Sequence, residues 1–207
     1  MKYLKTYEQK INNIATKELV DMLEPDLKLE FNKNYKKHNW NFSQSKFKKI
    51  SIQKVQELID KGANVNAHDE TNNYGSILDM AAYMQDLDLI VCLIENGANI
   101  NNYNSCKATP LYIVSNIGNI EIVKYLIQKG ANVNIPNDSN VLPIHSALWN
   151  KNYNIAKLLL KSGSILSTPG NDLSRWISKN YSFQKLLAEL HPEELVKVDE
   201  DKINKKY

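Results

Sequence analysis

Arginine is almost missing from this chain. Arg175 is the single one, so nearly all of the positive charge is lysine. Bidentate recognition of guanine or phosphate needs the guanidinium fork and has little to work with here. Cysteine is scarce as well. Cys92 and Cys106 are the only two, which excludes a disulfide framework and agrees with a reducing, cytoplasmic setting. Neither has a histidine at zinc-site spacing. The seven glycines form no phosphate-cradling loop and read mostly as helix ends and turns. No apolar run is long enough to span a bilayer, and the opening stretch, residues 1–8, has no apolar signal core. The net charge of +3 selects no partner class by itself. Apolar residues make up 43% of the chain, which is enough to build a core.

What the chain does have is a period. Gly62-Ala63-Asn64-Val65-Asn66 returns as Gly97-Ala98-Asn99-Ile100-Asn101 and as Gly130-Ala131-Asn132-Val133-Asn134. A worn copy follows at Gly163-Ser164-Ile165-Leu166-Ser167. The leading glycines, Gly62, Gly97, Gly130 and Gly163, recur at a nearly constant step. Ser76-Ile77-Leu78, Thr109-Pro110-Leu111 and Leu142-Pro143-Ile144 each begin at one and the same distance before the next of these glycines. Between them lie apolar helical patterns such as Ile120–Ile127. A fixed period of this size is the mark of stacked helical repeats. The motif resembles the ankyrin repeat, with its Thr-Pro-Leu-His-x-Ala start and Gly-Ala-Asp-Val-Asn end, over residues 52–166. Asn stands for the family's Asp at 64, 99 and 132. The resemblance implies an all-α solenoid of helix-turn-helix units joined by hairpin fingers.

The clear repeats are 63–97, 98–130 and 131–163. The first has a turn longer by two residues, within 70–74. Asp79 holds the place of the family's His, so the bonds that His normally makes between turns are missing and a looser joint is expected there. Thr109 and Pro110 have the chemistry of a helix start. Lys107 and Asn140 occupy the family's turn-glycine position. A left-handed backbone costs Lys more than Gly, so the Lys107 hairpin is expected to adjust. Phe42 to Gly62 has the length of a degenerate first helix pair, with Val55, Leu58 and Ile59 as the core of its second helix.

Residues 1–24 read as helix, with Leu4, Tyr7, Ile11 and Ile14 on one face. Leu19, Val20 and Leu23 continue the apolar side after a break capped by Thr16, and Pro25 ends the segment. Stacked repeats need covered ends, so 1–40 is expected to be a helical extension or cap. The ankyrin domain is expected over 41–190, ending in a pair built from Leu173, Trp176 and Ile177, then Phe183, Leu186, Leu187 and Leu190. Pro169-Gly170 marks the turn before it. Residues 191–207 read as a charged, flexible tail.

No catalytic set is legible. His38, His68, His145 and His191 are far apart, and His145 has a structural place inside the repeat. His68-Asp69 reads as a surface turn pair. Neither cofactor nor metal is expected, and the chain is expected not to be an enzyme. Function is then expected in surface recognition. Carrying the family's usual contact positions onto this chain selects Glu70, Tyr83 and Met84, then Ser105, Cys106, Ala108, Asn116 and Ile117. The third repeat adds Asp138, Ser139, Val141, Trp149 and Asn150, and Tyr103 lies close to the fingertips. Tyr83, Met84, Ile117 and Trp149 are large apolar groups at positions the core does not require, and such groups mark contact sites.

The resemblance therefore implies a monomeric adaptor, scaffold or inhibitor that docks a protein on the concave face of the stack. Members of this family from bacteria and viruses often act inside host cells. Lysine, asparagine and isoleucine usage, read as AT-rich coding, agrees with such an effector. The alternative is binding of nucleic acid or an anionic surface through 31–54, where seven lysines and no acid alternate with Phe31, Tyr35, Trp40, Phe42 and Phe47. Inward packing of those aromatics under solvated lysines is the preferred reading, and nucleic acid is disfavoured. Asn66, Asn101 and Asn134 each have a Leu eight residues upstream, resembling the pattern read by asparagine hydroxylases, but Asn stands where that pattern has an acid.

Overall fold

The computed structural model describes residues 12–23, 49–69, 75–169, 171–172 and 181–190. Among them are nine helices: α1 at 12–23, α2 Ile52–Asp60, α3 Ile77–Met84, α4 Leu87–Glu95, α5 Pro110–Ile117, α6 Ile120–Gln128, α7 Pro143–Trp149, α8 Tyr153–Lys161 and α9 Tyr181–Leu190. Two antiparallel two-residue pairs, β1 His68–Asp69 with β2 Gly75–Ser76 and β3 Ser167–Thr168 with β4 Asn171–Asp172, are the only strands described. The second pair brings together residues on either side of the Pro169-Gly170 signal read from the sequence, with Gly170 itself outside the described residues. The fold is an all-α solenoid.

Helices α3 to α6 start where a side chain satisfies a free backbone N–H. Ser76, Asp86, Thr109 and Asn119 accept from Asp79 N, Leu89 N, Tyr112 N and Ile122 N. Such caps are worth about 1 kcal/mol each. Pro110 and Pro143 occupy first-turn positions, where no N–H is needed. Apolar residues then face inward. The first helices pack in a row, α3 on α5 and α5 on α7. The second helices form another row, in which α2 meets α4, α6 meets α8 and α8 meets α9. Leu78, Ala81, Leu93, Val114, Leu126, Ile144, Ala147 and Leu159 are among the side chains buried between the rows. One continuous core runs from Leu19 in α1 to Leu187 in α9.

Asparagine links successive fingers. Asn66 Oδ1 accepts from Asn99 N at 2.7 Å, and Asn66 Nδ2 donates to the Gly97 carbonyl at 3.0 Å. Asn134 treats Ile165 N and the Gly163 carbonyl the same way, each at 2.9 Å. Asn101 Oδ1 accepts from Asn132 N at 2.8 Å. A carboxylate could not donate to the glycine carbonyl, so an amide suits this position. Asn64, Asn99 and Asn132 only accept, from Asn66 N, Asn101 N and Asn134 N. That role needs an oxygen alone, which Asn supplies as well as Asp.

The start of the stack differs from the sequence reading in two respects. Residues 12–23 form a single helix with no break at Thr16. The Thr16 hydroxyl instead donates to the Asn12 carbonyl and accepts from Asn64 N at 2.8 Å. It occupies the place that Asn66, Asn101 and Asn134 hold farther along. Ala15, Leu19 and Leu23 face the core at a four-residue spacing, while Ile14 is exposed. The buried stripe is thus one position away from the expected Ile11–Ile14 line, in the rotation that buries Leu19 and Leu23 and brings the Thr16 hydroxyl to Asn64 N. Thr16→Val keeps the shape and removes the acceptor. It is expected to lower stability by about 1 kcal/mol and to speed hydrogen exchange at the Asn64 amide, measured by NMR. At the far end, Phe183 and Leu187 of α9 are buried, as their spacing implied. Leu4, Tyr7, Ile11, the lysine-rich stretch 31–48, Leu173, Trp176 and Ile177, and the tail 191–207 lie outside the described residues.

The Lys107 hairpin does not adjust. Lys107 takes φ +57° and Asn140 φ +58°. The two turns carry the same bonds, Lys107 N to the Asn104 carbonyl and Asn140 N to the Asn137 carbonyl. The reason is a pair of side chains that sequence reading passes over. Asn104 Oδ1 accepts from Cys106 N and Ala108 N, and Asn137 Oδ1 from Ser139 N and Val141 N. Each asparagine pins its turn from inside and holds Lys107 in a conformation it would otherwise avoid. Their separation by one full repeat is the available signal.

Candidate functional site: the first-helix face and the fingertips

The contact positions expected from sequence separate into an inner and an outer set. Tyr83 and Met84 are buried, 6% and 2% exposed, so they are not surface anchors. The Tyr83 ring is held under the next fingertip, where its hydroxyl accepts from Asn104 Nδ2 at 3.0 Å. A buried phenol needs such a partner, and Asn104 is fixed by the turn it organises. Ala108 and Val141 are also buried, since both follow the pinned turns and lead into helix starts. The expectation that Tyr83 and Met84 stand off the core is corrected, and Ala108 and Val141, carried over as contact positions, are covered as well. Glu70 lies outside the described residues.

The outer set is coherent. At the position equivalent to Tyr83 in the third repeat, Trp149 is 51% exposed. Its ring lies 6.3 Å from that of His145. Asn150 beside it is exposed and donates to the Ser146 carbonyl. In the middle repeat Asn116 is half-buried and donates to Ser146 Oγ at 2.7 Å, which ties α5 to α7. Ile117 is half-buried against the core. At the tips, Ser105, Cys106, Asp138 and Ser139 are exposed. Asp138 N donates to the Cys106 carbonyl at 3.0 Å, so the two tips touch directly. Ser139 Oγ donates to Asp138 Oδ1. Tyr103 is 51% exposed near these tips. A shallow open groove of about 310 Å³ lies behind, where Gly118 and Ile120 meet Lys151 to Ile155, with Tyr153 at its rim.

Several of the buried polar groups have architectural partners. His145 Nδ1 accepts from Leu142 N, and its Nε2 donates to the Leu166 carbonyl at 2.9 Å. This geometry assigns the neutral Nε2–H tautomer. Burial lowers the pKa of His145, against the opposing bond to Leu166. Burial raises that of Tyr83, and the charge of Asp79 adds to it. Burial likewise raises Tyr112, whose hydroxyl bonds with Ser146. Cys92 is raised by burial and then by Glu95. Asp79 is pushed up to about 7 by burial, in spite of its bonds to the Ser76 N–H and hydroxyl. His68 is exposed and its Nε2 lies 3.1 Å from Asn102 Oδ1. Among the described residues, no group of three His, Cys, Asp or Glu side chains could hold a metal ion. Among the same residues, no helix is long and apolar enough to cross a membrane.

Paired helices stacked in two rows, with bonded fingertips on one side, define a helical-repeat solenoid. A family model of ankyrin repeats, in three copies, matches residues 77–168, and this part of the chain belongs to the ankyrin-repeat family. Ankyrin repeats are in general protein–protein interaction modules. No curated protein matches the sequence.

Proposed function

We propose that this chain is a non-enzymatic adaptor, scaffold or inhibitor that docks a protein partner across α5, α7 and the two fingertips between them. A cytoplasmic setting, a monomeric state and a role as an effector inside a host cell belong to the same reading. The observation that carries it is Trp149. The residue is about half exposed at the end of α7, although every other residue of that helix is buried. Tryptophan supplies much contact area at a low entropic cost and is enriched among residues that dominate binding energy. The polar groups around it, Asn150 on the helix and Asp138 and Ser139 at the tip, suit the rim of such a contact. With Tyr83 and Met84 buried, the anchor set contracts to Trp149, with Ile117 and Tyr103 in support.

The test is affinity capture from lysate, followed by titration of the captured protein. Trp149→Ala is expected to weaken binding by roughly tenfold or more while leaving the unfolding midpoint close to that of wild type. Unchanged affinity on that substitution would remove Trp149, and with it this face, from the proposal.

A further inference from the structure

The repeats carry a different residue at one structurally equivalent place: Asp79 in α3, Tyr112 in α5 and His145 in α7. His145 shows what the place can do. One ring nitrogen accepts from the N–H that opens its own helix, and the other donates to the carbonyl of Leu166 in the next finger. Asp79 does the first half. Its Oδ2 accepts from Ser76 N and Ser76 Oγ, both at 2.8 Å. The second half is open. Asp79 Oδ1 is fully buried and has no hydrogen-bond partner. Asp79 and His145 are two repeat periods apart, and so are Ile100 and Leu166. By the repeat register, the counterpart of the Leu166 carbonyl is the Ile100 carbonyl, an acceptor in the next finger. An ionised carboxylate would meet that acceptor with nothing to donate. A protonated one carries the donor that such a bond needs.

We propose that Asp79 is a proton-operated joint between the repeat of α3–α4 and the repeat of α5–α6. Protonated, it donates from Oδ1 to the backbone of the next finger and ties the two repeats together. Ionised, it is a buried charge against a carbonyl, and the junction loosens. The surroundings favour the protonated form. Asp79 is 0% exposed, and no basic side chain among the described residues acts on it. On α3 itself the nearest titratable group is Tyr83, which feels the Asp79 charge. On α5 it is Tyr112 and in the fingertip Cys106; both act on Tyr83 rather than on Asp79. On α4 and at its cap, Asp86, Asp88, Cys92 and Glu95 do not act on it. On β1, paired with β2, His68 is exposed and bonded to Asn102.

The sign follows from linkage. The folded carboxyl titrates at about 7, above its ordinary 3.8. Its contribution is full below the ordinary value and is lost as pH rises through the folded one. Asp79→Asn donates from its amide at every pH and accepts from Ser76 through its oxygen. Unfolding curves of the full chain, recorded for wild type and Asp79→Asn from about pH 4 to about pH 8.5, are the test. The ratio of the two folding constants is expected to shift towards the variant by about tenfold per pH unit, reaching roughly a hundredfold or more near neutrality and then levelling. The opposite trend from His145 is common to both proteins and cancels in the ratio. Parallel stability–pH curves would overturn the proposal. Should Asp79→Asn fail to fold, NMR titration of the Asp79 carboxyl carbon in wild-type protein decides it: a midpoint near 7 supports the joint, and one near the ordinary carboxylate value sinks it.

Discussion

Replacing Gly75 by alanine is expected to cost more than about 3 kcal/mol of stability, whereas the same change at Gly97 is expected to cost about 1 kcal/mol. The contrast isolates packing from backbone strain. Both glycines have positive φ, +82° at Gly75 and +88° at Gly97, so an alanine is strained at either. At Gly97 an added Cβ would meet nothing within 4 Å. At Gly75 it would lie 2.5 Å from Asp79 Oδ2 and 2.6 Å from Asn104 Cα. The second contact is backbone and belongs to the pinned fingertip. The first belongs to the carboxyl that caps α3. Relief of either clash would break the Ser76–Asp79 capping bonds or the Asn104 turn. Denaturant unfolding of both variants beside wild type checks the ranking. Near-equal losses would mean that the α3 entrance yields easily and that its hydrogen bonds matter little.

Loss of the His145 side chain is the second large effect. His145→Ala is expected to cost about 3 to 5 kcal/mol, because it leaves Leu142 N and the Leu166 carbonyl unpaired in the core and opens a cavity. The damage should centre on the junction between the third repeat and the following finger. Hydrogen exchange is therefore expected to accelerate around 163–168 more than around 62–67. A pH signature accompanies it. The folded pKa of His145 lies below its ordinary 6.5, so the neutral ring's contribution is full above that value and is lost as pH falls through the lower, folded one. Wild type should lose stability on mild acidification, and His145→Ala should lose this component. A variant whose stability falls with acid as steeply as that of wild type would contradict the buried neutral histidine.

These effects show where sequence and structure share the explanation. The constant repeat step, the helix starts at Thr109-Pro110 and Leu142-Pro143, and the apolar spacing of α6 and α8 are local properties, and all three are legible in the chain. The exposure of Ile14 is not, because the rotation of α1 is decided by contacts with residues far along the sequence, where Leu19 and Leu23 are buried and Thr16 meets Asn64. The undistorted hairpin at Lys107 is not either, because the pinning bonds of Asn104 are invisible without the turn itself.

The repeating helix pairs and their order can be read along the chain, since periodicity and capping are written in neighbouring residues. Which repeat positions face solvent follows from the packing of one repeat on the next. Tyr83 and Trp149 hold the same place in their repeats, yet Tyr83 is covered by the fingertip of Asn104 while half of Trp149 remains open. The same holds for Asp79, whose carboxyl became a buried, half-partnered group only when the next repeat closed over it. Burial arises from the surfaces that neighbouring repeats bring, and a period repeats positions without repeating their surroundings.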